Sequence, residues 1–337
     1  MTEHLDNVAR CLRETTIHSQ TNFCWMGRPC ARLAPHVRRA MTSKTARSYL
    51  VYQLQSRLYS DFYIRGSASA SYRGEAPAAE TMAFARTLSA ANAGKGCREN
   101  GWTIVEANAN EIVVSKGGLR VHVHPRECSP WRDAPVQMGS TVALHLSKEL
   151  LNASPGYYMA LGNCGKFSDE ALPLVRLYWN LKAGGADKFV DGFTRLLNHT
   201  GTYFRLKVLN DPSAYTRSDA GVLYFCKADH PAVAEAVSSI YSSIAPLLNP
   251  DVPGFTRRIA PGLALAEDPA TQESFGQHRC RILAEGIIRA HEERAKFLKD
   301  RLRIVESHFA SQGIRLSEPY LNPRSVDNYT FTNLRSS

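Results

Sequence analysis

Basic side chains that recur at every second residue are the first chemistry visible in this chain. In VRLYWNL, Arg176, Tyr178 and Asn180 alternate with Val175, Leu177, Trp179 and Leu181. YFRLKVLN repeats the pattern, with Arg205 and Lys207 opposed to Phe204, Leu206 and Val208. A period of two puts successive side chains on opposite faces of a strand. The turn NDPSAYTRSD adds Tyr215, Arg217 and Asp219, and the helix start SFGQHRCR adds His278, Arg279 and Arg281. Guanidinium and ammonium groups gathered on a rigid sheet suit a phosphate, which needs several charge-assisted donors and no metal once its charge is neutralised. Neighbouring positive charge and partial burial depress a lysine pKa, so Lys207 could act as a general base at neutral pH. Against this stands the ordinary fate of such residues. Arg and Lys on a sheet face usually meet solvent or pair with carboxylates, and Asp211 and Asp219 are at hand. The concentration of cations in adjacent strands and one turn is what favours a site.

The elements that must position these residues follow from periodicity. DNVARCLRETTIHS reads as a short helix, Lys44 to Ile64 as a longer one with Tyr49, Leu50, Leu54, Leu58 and Phe62 at three- and four-residue steps, and Glu80 to Asn92 as a third. GSASASYRGEAPA between the last two is small and polar, a loop. From Trp102 the period is two: WTIVEA, EIVVSK and GLRVHVH predict an antiparallel meander, followed by strands over 141–146 and 156–162. AGVLYFCK is a more apolar strand, and Pro231 to Leu248 a helix. VPGFTRRIAPGLALAEDPATQESFGQH reads as a long Gly/Pro-rich connection, Ser274 to Phe297 as a charged helix, and the segment after Pro319 as a draped arm or frayed end. The sum is an α+β protein: a helical and small-β N-terminal part over 1–130, then a domain over 131–337 with a mainly antiparallel or mixed sheet flanked by helices.

Composition narrows the function. The chain has 337 residues, 44% of them hydrophobic, and a net charge of +10, which fits acidic or phosphorylated partners. No apolar run is long enough to cross a bilayer, and no signal peptide is visible, so the 8 scattered cysteines read as reduced thiols in a cytoplasm. No CxxC, Walker, GxGxxG, GxSxG or HExxH motif occurs. His122 and His124 share a strand face, but no carboxylate or cysteine stands at ligand spacing, so no metal or cofactor is expected. The aromatic residues Trp179 and Phe204 fall on apolar faces, which argues for core packing and against base stacking on nucleic acid.

RLYWNLKAGGADKFVDGFTRLLN, FRLKVLNDPSAYTRSDAGVLYF and LALAEDPATQESFGQHRCRILAEG resemble the HopA-type effector family of plant-pathogenic Pseudomonas, with LQSRLYSDFYIRG also fitting. The resemblance covers roughly the C-terminal two thirds and is strongest between Leu174 and Gly286. It is closest to relatives in bacterial peptide natural-product clusters, lyase partners in class V lanthipeptide and thioamitide biosynthesis. It implies a fold similar to the phosphothreonine lyase effectors of enteric pathogens. The implied activity is β-elimination of phosphate from phosphoserine or phosphothreonine of a precursor peptide, leaving dehydroalanine or dehydrobutyrine. A separate kinase would supply the phosphate, and a cyclase could follow. Leader and core of the peptide would be the partners; nucleic acid and membrane would not. By the resemblance Lys207 is the base. Arg217, Arg279 and Arg281, with Arg205, bind phosphate. Arg176 lies on the strand where those lyases carry Lys-x-His. The histidine of that pattern is Tyr178 here, which leaves the proton donor open among Tyr178, Tyr215 and His278, or no donor at all. Asn180 and Asp219 are further candidates.

Overall fold

A computed structural model describes residues 3–30, 33–64, 77–108, 111–124, 127–129, 137–151, 153–164, 173–269, 271–332 and 334. The loop read at 66–78 lies almost wholly outside the described residues. The N-terminal region begins with α1 (Glu3–Glu14), the hairpin strands β1 (Thr15–Ser19), β2 (Asn22–Trp25) and β3 (Arg28–Cys30), and the short α2 (Pro35–Ala40). The helix expected through Ser19 stops at Glu14, because the β-branched run Thr15-Thr16-Ile17 pairs with Trp25, Cys24 and Phe23 instead. Next comes α3 (Ser43–Arg57), whose Thr42 hydroxyl caps the Thr45 amide, continuing into one π-helical stretch at Leu58–Tyr63. α4 (Ala78–Ala91) closes this part.

A small sheet holds β4 (Cys97–Ala107), β5 (Ile112–Lys116), β6 (Leu119–Val123), β7 (Cys128–Ser129) and β8 (Thr141–Leu146) in the order β6-β5-β4-β8-β7. The expected meander is its β4-β5-β6 half. Trp102, Ile104, Ile112, Val114, Val123, Cys128 and Leu144 form its own core.

The large sheet positions the site. It adds β9 (Glu149–Leu150), β10 (Tyr157–Leu161), β11 (Leu174–Trp179), α5 (Ala186–His199), β12 (Phe204–Leu209), β13 (Gly221–Cys226), α6 (His230–Ile244), β14 (Arg257–Ala260), β15 (Leu263–Glu267), α7 (Phe275–Glu292) and α8 (Leu298–Ser311). Its strand order is β14-β15-β11-β13-β12-β10-β9, with antiparallel pairing throughout. The fold is thus mixed α+β, with antiparallel sheets flanked by helices. One sheet face packs Trp179 against Phe189 and Phe193 of α5 and Tyr241 of α6. On the opposite face Tyr63 of the π-helical stretch and Phe275 of α7 meet Tyr178.

Two expectations in this region change. The connection over 252–278 contains β14 and β15, and β15 lies next to β11 inside the sheet. LALAE is buried at every position, so it carries no alternation to read. The helix expected through Phe297 ends at Glu292, and Arg294 at φ 56° turns the chain into α8. β7 and β8, on either side of 130/131, pair in the small sheet, and residues of α1, β2 and α3 share one core with the large sheet.

Candidate functional site

The register of the large sheet decides which side chains meet. Tyr224 on β13 stands opposite Arg205 on β12 and Arg176 on β11. One row along, Val222 stands opposite Lys207 and Tyr178. Arg176, Arg205, Lys207 and Tyr224 therefore share a face. The Arg176 and Arg205 guanidinium carbons lie 5.1 and 5.5 Å from the centroid of the Tyr224 ring, and Lys207 Nζ lies 5.8 Å from it. Lys207 Nζ also sits 4.4 Å from the centre of the Tyr157 ring, and the Arg217 guanidinium 5.8 Å from that ring. Four cations thus surround two tyrosine rings, each attracted by the negative ring face.

Carboxylates hold two of the four. Arg176 donates Nε and Nη2 to one oxygen of Asp268, at 2.9 and 2.7 Å. Burial works against its charge, yet Tyr178, Tyr224 and Asp268 hold it above the ordinary arginine range. Arg217 forms a two-pronged pair with Asp219, at 2.8 and 2.9 Å. The turn that carries Arg217 is fixed by Ser218, whose amide and hydroxyl both donate to the Ile64 carbonyl, at 2.6 and 2.7 Å. Among the described residues no carboxylate pairs with Arg205 or Lys207, and Arg205 Nε is buried without an acceptor. Four cations against two carboxylates leave two uncompensated positive charges. A phosphomonoester carries roughly −1.5 to −2 at neutral pH, which matches that surplus. Arg205, Lys207 and Arg217 are half-buried, so the surplus lies where a ligand can reach it.

Other residues singled out in the sequence lie elsewhere. The Tyr178 hydroxyl is buried and enclosed by Tyr63 and Phe275; burial pushes it up to about 12, against the pull of Arg176 and Tyr63. Tyr215 donates to the Leu209 carbonyl at 2.7 Å and packs edge-on against Phe84 of α4, so it is not brought to the cations. Asn180 ties two loops, donating to the Asp251 carbonyl at 2.9 Å and accepting from Asn249. Arg279 is fully buried, donating to the carbonyls of Pro319 and Leu321 at 2.7 and 2.9 Å and to His278 Nδ1 at 2.6 Å. Its donors anchor the C-terminal arm, while its charge acts on Tyr178 and Arg176. Arg281 is held by Glu273 and Glu285. Burial and the charges of Arg279 and Arg281 pull His278 down to about 4, so it is neutral at pH 7. The segment after Pro319 is tied down. Glu267 accepts from Lys227, Ser325, Tyr329 and the Asn322 amide.

Sequence reasoning missed Tyr157, Tyr224 and Asp268. Alternation in AGVLYFCK does put Tyr224 and Val222 on one face, but only the register reveals which face. Among the described residues no three His, Cys, Asp or Glu side chains gather as a metal site. No helix among them is long and apolar enough to cross a membrane.

The profile of the HopA1 effector protein family matches residues 150–321, which takes in every strand of the large sheet except its β9 end residue and all four cations. The chain belongs to the HopA1 effector protein family. Two solved effector-protein structures are similar to it. The effector protein from Pseudomonas syringae pv. tomato strain DC3000 is 14% identical, with a TM-score of 0.47, covering 81% of this chain and 95% of its own. The effector protein from Pseudomonas syringae pv. syringae strain 61 is 13% identical, also with a TM-score of 0.47, covering 96% and 98%. No curated protein sequence matches the chain.

Proposed function

We propose that this HopA1-family protein is a phosphoserine/phosphothreonine lyase acting on a ribosomal precursor peptide. The observation that carries the reading is the surplus of positive charge at Lys207 and Arg205, beside Arg176 and Arg217 held in place by Asp268 and Asp219. The phosphate would lie between the guanidinium groups, with the peptide Cα within reach of the Lys207 amine. To take the α-proton the Lys207 ammonium must first release its own proton, which leaves Arg205 as the uncompensated cation beside the phosphate. The electron pair released becomes the Cα=Cβ bond, and the Cβ–O bond breaks toward the phosphate. The cations lower the barrier by stabilising charge that develops on the enolate and the departing oxygens. Dehydroalanine or dehydrobutyrine results, the electrophile that lanthipeptide-like rings require. A separate kinase would install the phosphate, a cyclase could use the product, and leader and core of the peptide would be the binding partners, in a cytoplasm.

The test is mass spectrometry of a pre-phosphorylated peptide incubated with the protein. The wild type should remove the mass of one phosphoric acid, and Lys207→Ala should abolish that loss while phosphopeptide binding persists. Binding by the wild type with no change in mass would assign the site to phosphopeptide recognition without chemistry. Full turnover by Lys207→Ala would take the base role from Lys207.

A further inference from the structure

We infer that Tyr224 is the proton donor to the departing phosphate oxygen, an inference that rests on the lyase reading above. Arg205, Tyr224 and Arg176 occupy one row across β12, β13 and β11, so their side chains rise from the same face side by side. Both guanidinium groups lie against the Tyr224 ring. An oxyanion bridged by these two arginines would lie beside the tyrosine that separates them. Lys207 stands two residues from Arg205 on β12, with its Nζ 5.8 Å from the same ring. Base, donor and phosphate-binding cations thus lie within one side-chain layer.

The other candidates are occupied or misplaced. Tyr178 is walled in by Tyr63 and Phe275, Tyr215 spends its proton on the Leu209 carbonyl, and His278 Nδ1 accepts from Arg279. Tyr157 also touches Lys207 and Arg217, but burial, with the Asp219 carboxylate adding to it against the pull of Arg217, holds its phenol proton well above the ordinary tyrosine range. Tyr224 faces cations on both neighbouring strands.

The step balances without any further reactant. The Cα–H proton moves to the Lys207 amine, its electron pair forms the new double bond, and the Cβ–O pair stays on the phosphate oxygen. The Tyr224 O–H proton transfers to that oxygen, so hydrogen phosphate leaves. Water reprotonates the phenolate while the Lys207 ammonium returns its proton to solvent.

The experiment uses the full chain with a phosphothreonine peptide and two changes at one position. Tyr224→Phe keeps the ring that the cations contact and removes only the acidic hydroxyl. It should lower kcat by about a hundredfold or more, the usual yield of general acid catalysis, with KM little altered. Replacement of Tyr224 by 2,3,5-trifluorotyrosine, a more acidic phenol of nearly the same shape, should move the alkaline limb of the kcat profile to lower pH. A residue that merely packs would leave that limb in place. A rate fall without the pH shift overturns the donor role and leaves Tyr224 as a support for the arginines. An unchanged rate in Tyr224→Phe overturns it as well, while Lys207→Ala, if inactive, keeps the lyase reading standing. A wild type that binds and never eliminates removes both.

Discussion

Glu267→Gln tests how the C-terminal arm supports the site. Glu267 closes β15, is almost wholly buried, and accepts from Lys227 Nζ at 2.7 Å, the Tyr329 hydroxyl at 2.8 Å, the Asn322 amide at 2.8 Å and the Ser325 hydroxyl at 2.5 Å. The amide keeps the shape but removes the charge and turns one acceptor into a donor. Breaking a buried pair costs about 3–5 kcal/mol. Lys227 keeps 24% of its side chain exposed, which places the expectation at the lower end, about 3 kcal/mol. At about 2–4 °C per kcal/mol, Tm should fall by roughly 6–12 °C, leaving a folded protein. The sign against pH is fixed. Burial alone would raise this carboxyl, but the donors around it, Lys227 foremost, hold it below 4.5, so its contribution is present above pH 4.5 and is lost as pH falls through the lower folded value. The gap between wild type and variant should therefore narrow in acid. Asn322 donates its side-chain amide to the Asp268 carbonyl at 2.5 Å, and Asp268 holds Arg176. Phosphopeptide affinity should weaken along with Tm. Calorimetric melting at pH 7 and at acid pH, with titration of phosphopeptide, measures both. An unaltered Tm, or a gap that stays constant into acid, refutes the reasoning.

Two other outcomes follow from the same layer of structure. Gly276→Ala places a Cβ within 2.2 Å of the Tyr63 ring, so that ring must shift or α7 must lift; the expected loss is about 1–3 kcal/mol, read as a lower midpoint in urea. His278 is held neutral by burial and two arginines, with its pKa at about 4 against an ordinary 6.5. The unfolded chain binds the proton first, so stability should fall as pH drops from 6.5 toward 4. With its partial exposure the loss is about 1–2 kcal/mol, and His278→Gln should flatten that slope in acid melting curves.

The strands that carry the cations were legible because each alternates apolar and polar residues over six positions, the signature of a sheet with two unlike faces. β15 was not, since Leu263 to Glu267 is buried on both sides and reads as one apolar run between Gly/Pro-rich flanks. The pairing of Arg176 with Asp268 joins residues 92 positions apart, a relation no local pattern encodes. Arg279 shows the limit of residue type as evidence. An arginine at a helix start looks like an anion ligand, yet here its donors are consumed by carbonyls from the arm forty residues later. The family resemblance located the right stretch, and the register of the sheet sorted the cations that converge from those that do not.

The strand order also has a consequence for biosynthesis of the protein itself. β11 carries Arg176, but its two neighbours are β13, at Gly221–Cys226, and β15, at Leu263–Glu267. A chain emerging from the ribosome therefore holds β11 with one flank open until residue 267 has cleared the exit tunnel, and Asp268 follows directly behind. A stalled or truncated product that lacks this last stretch has no means of orienting Arg176, and it exposes an apolar strand to aggregation. Chains that stop short of this stretch should therefore surface as insoluble material.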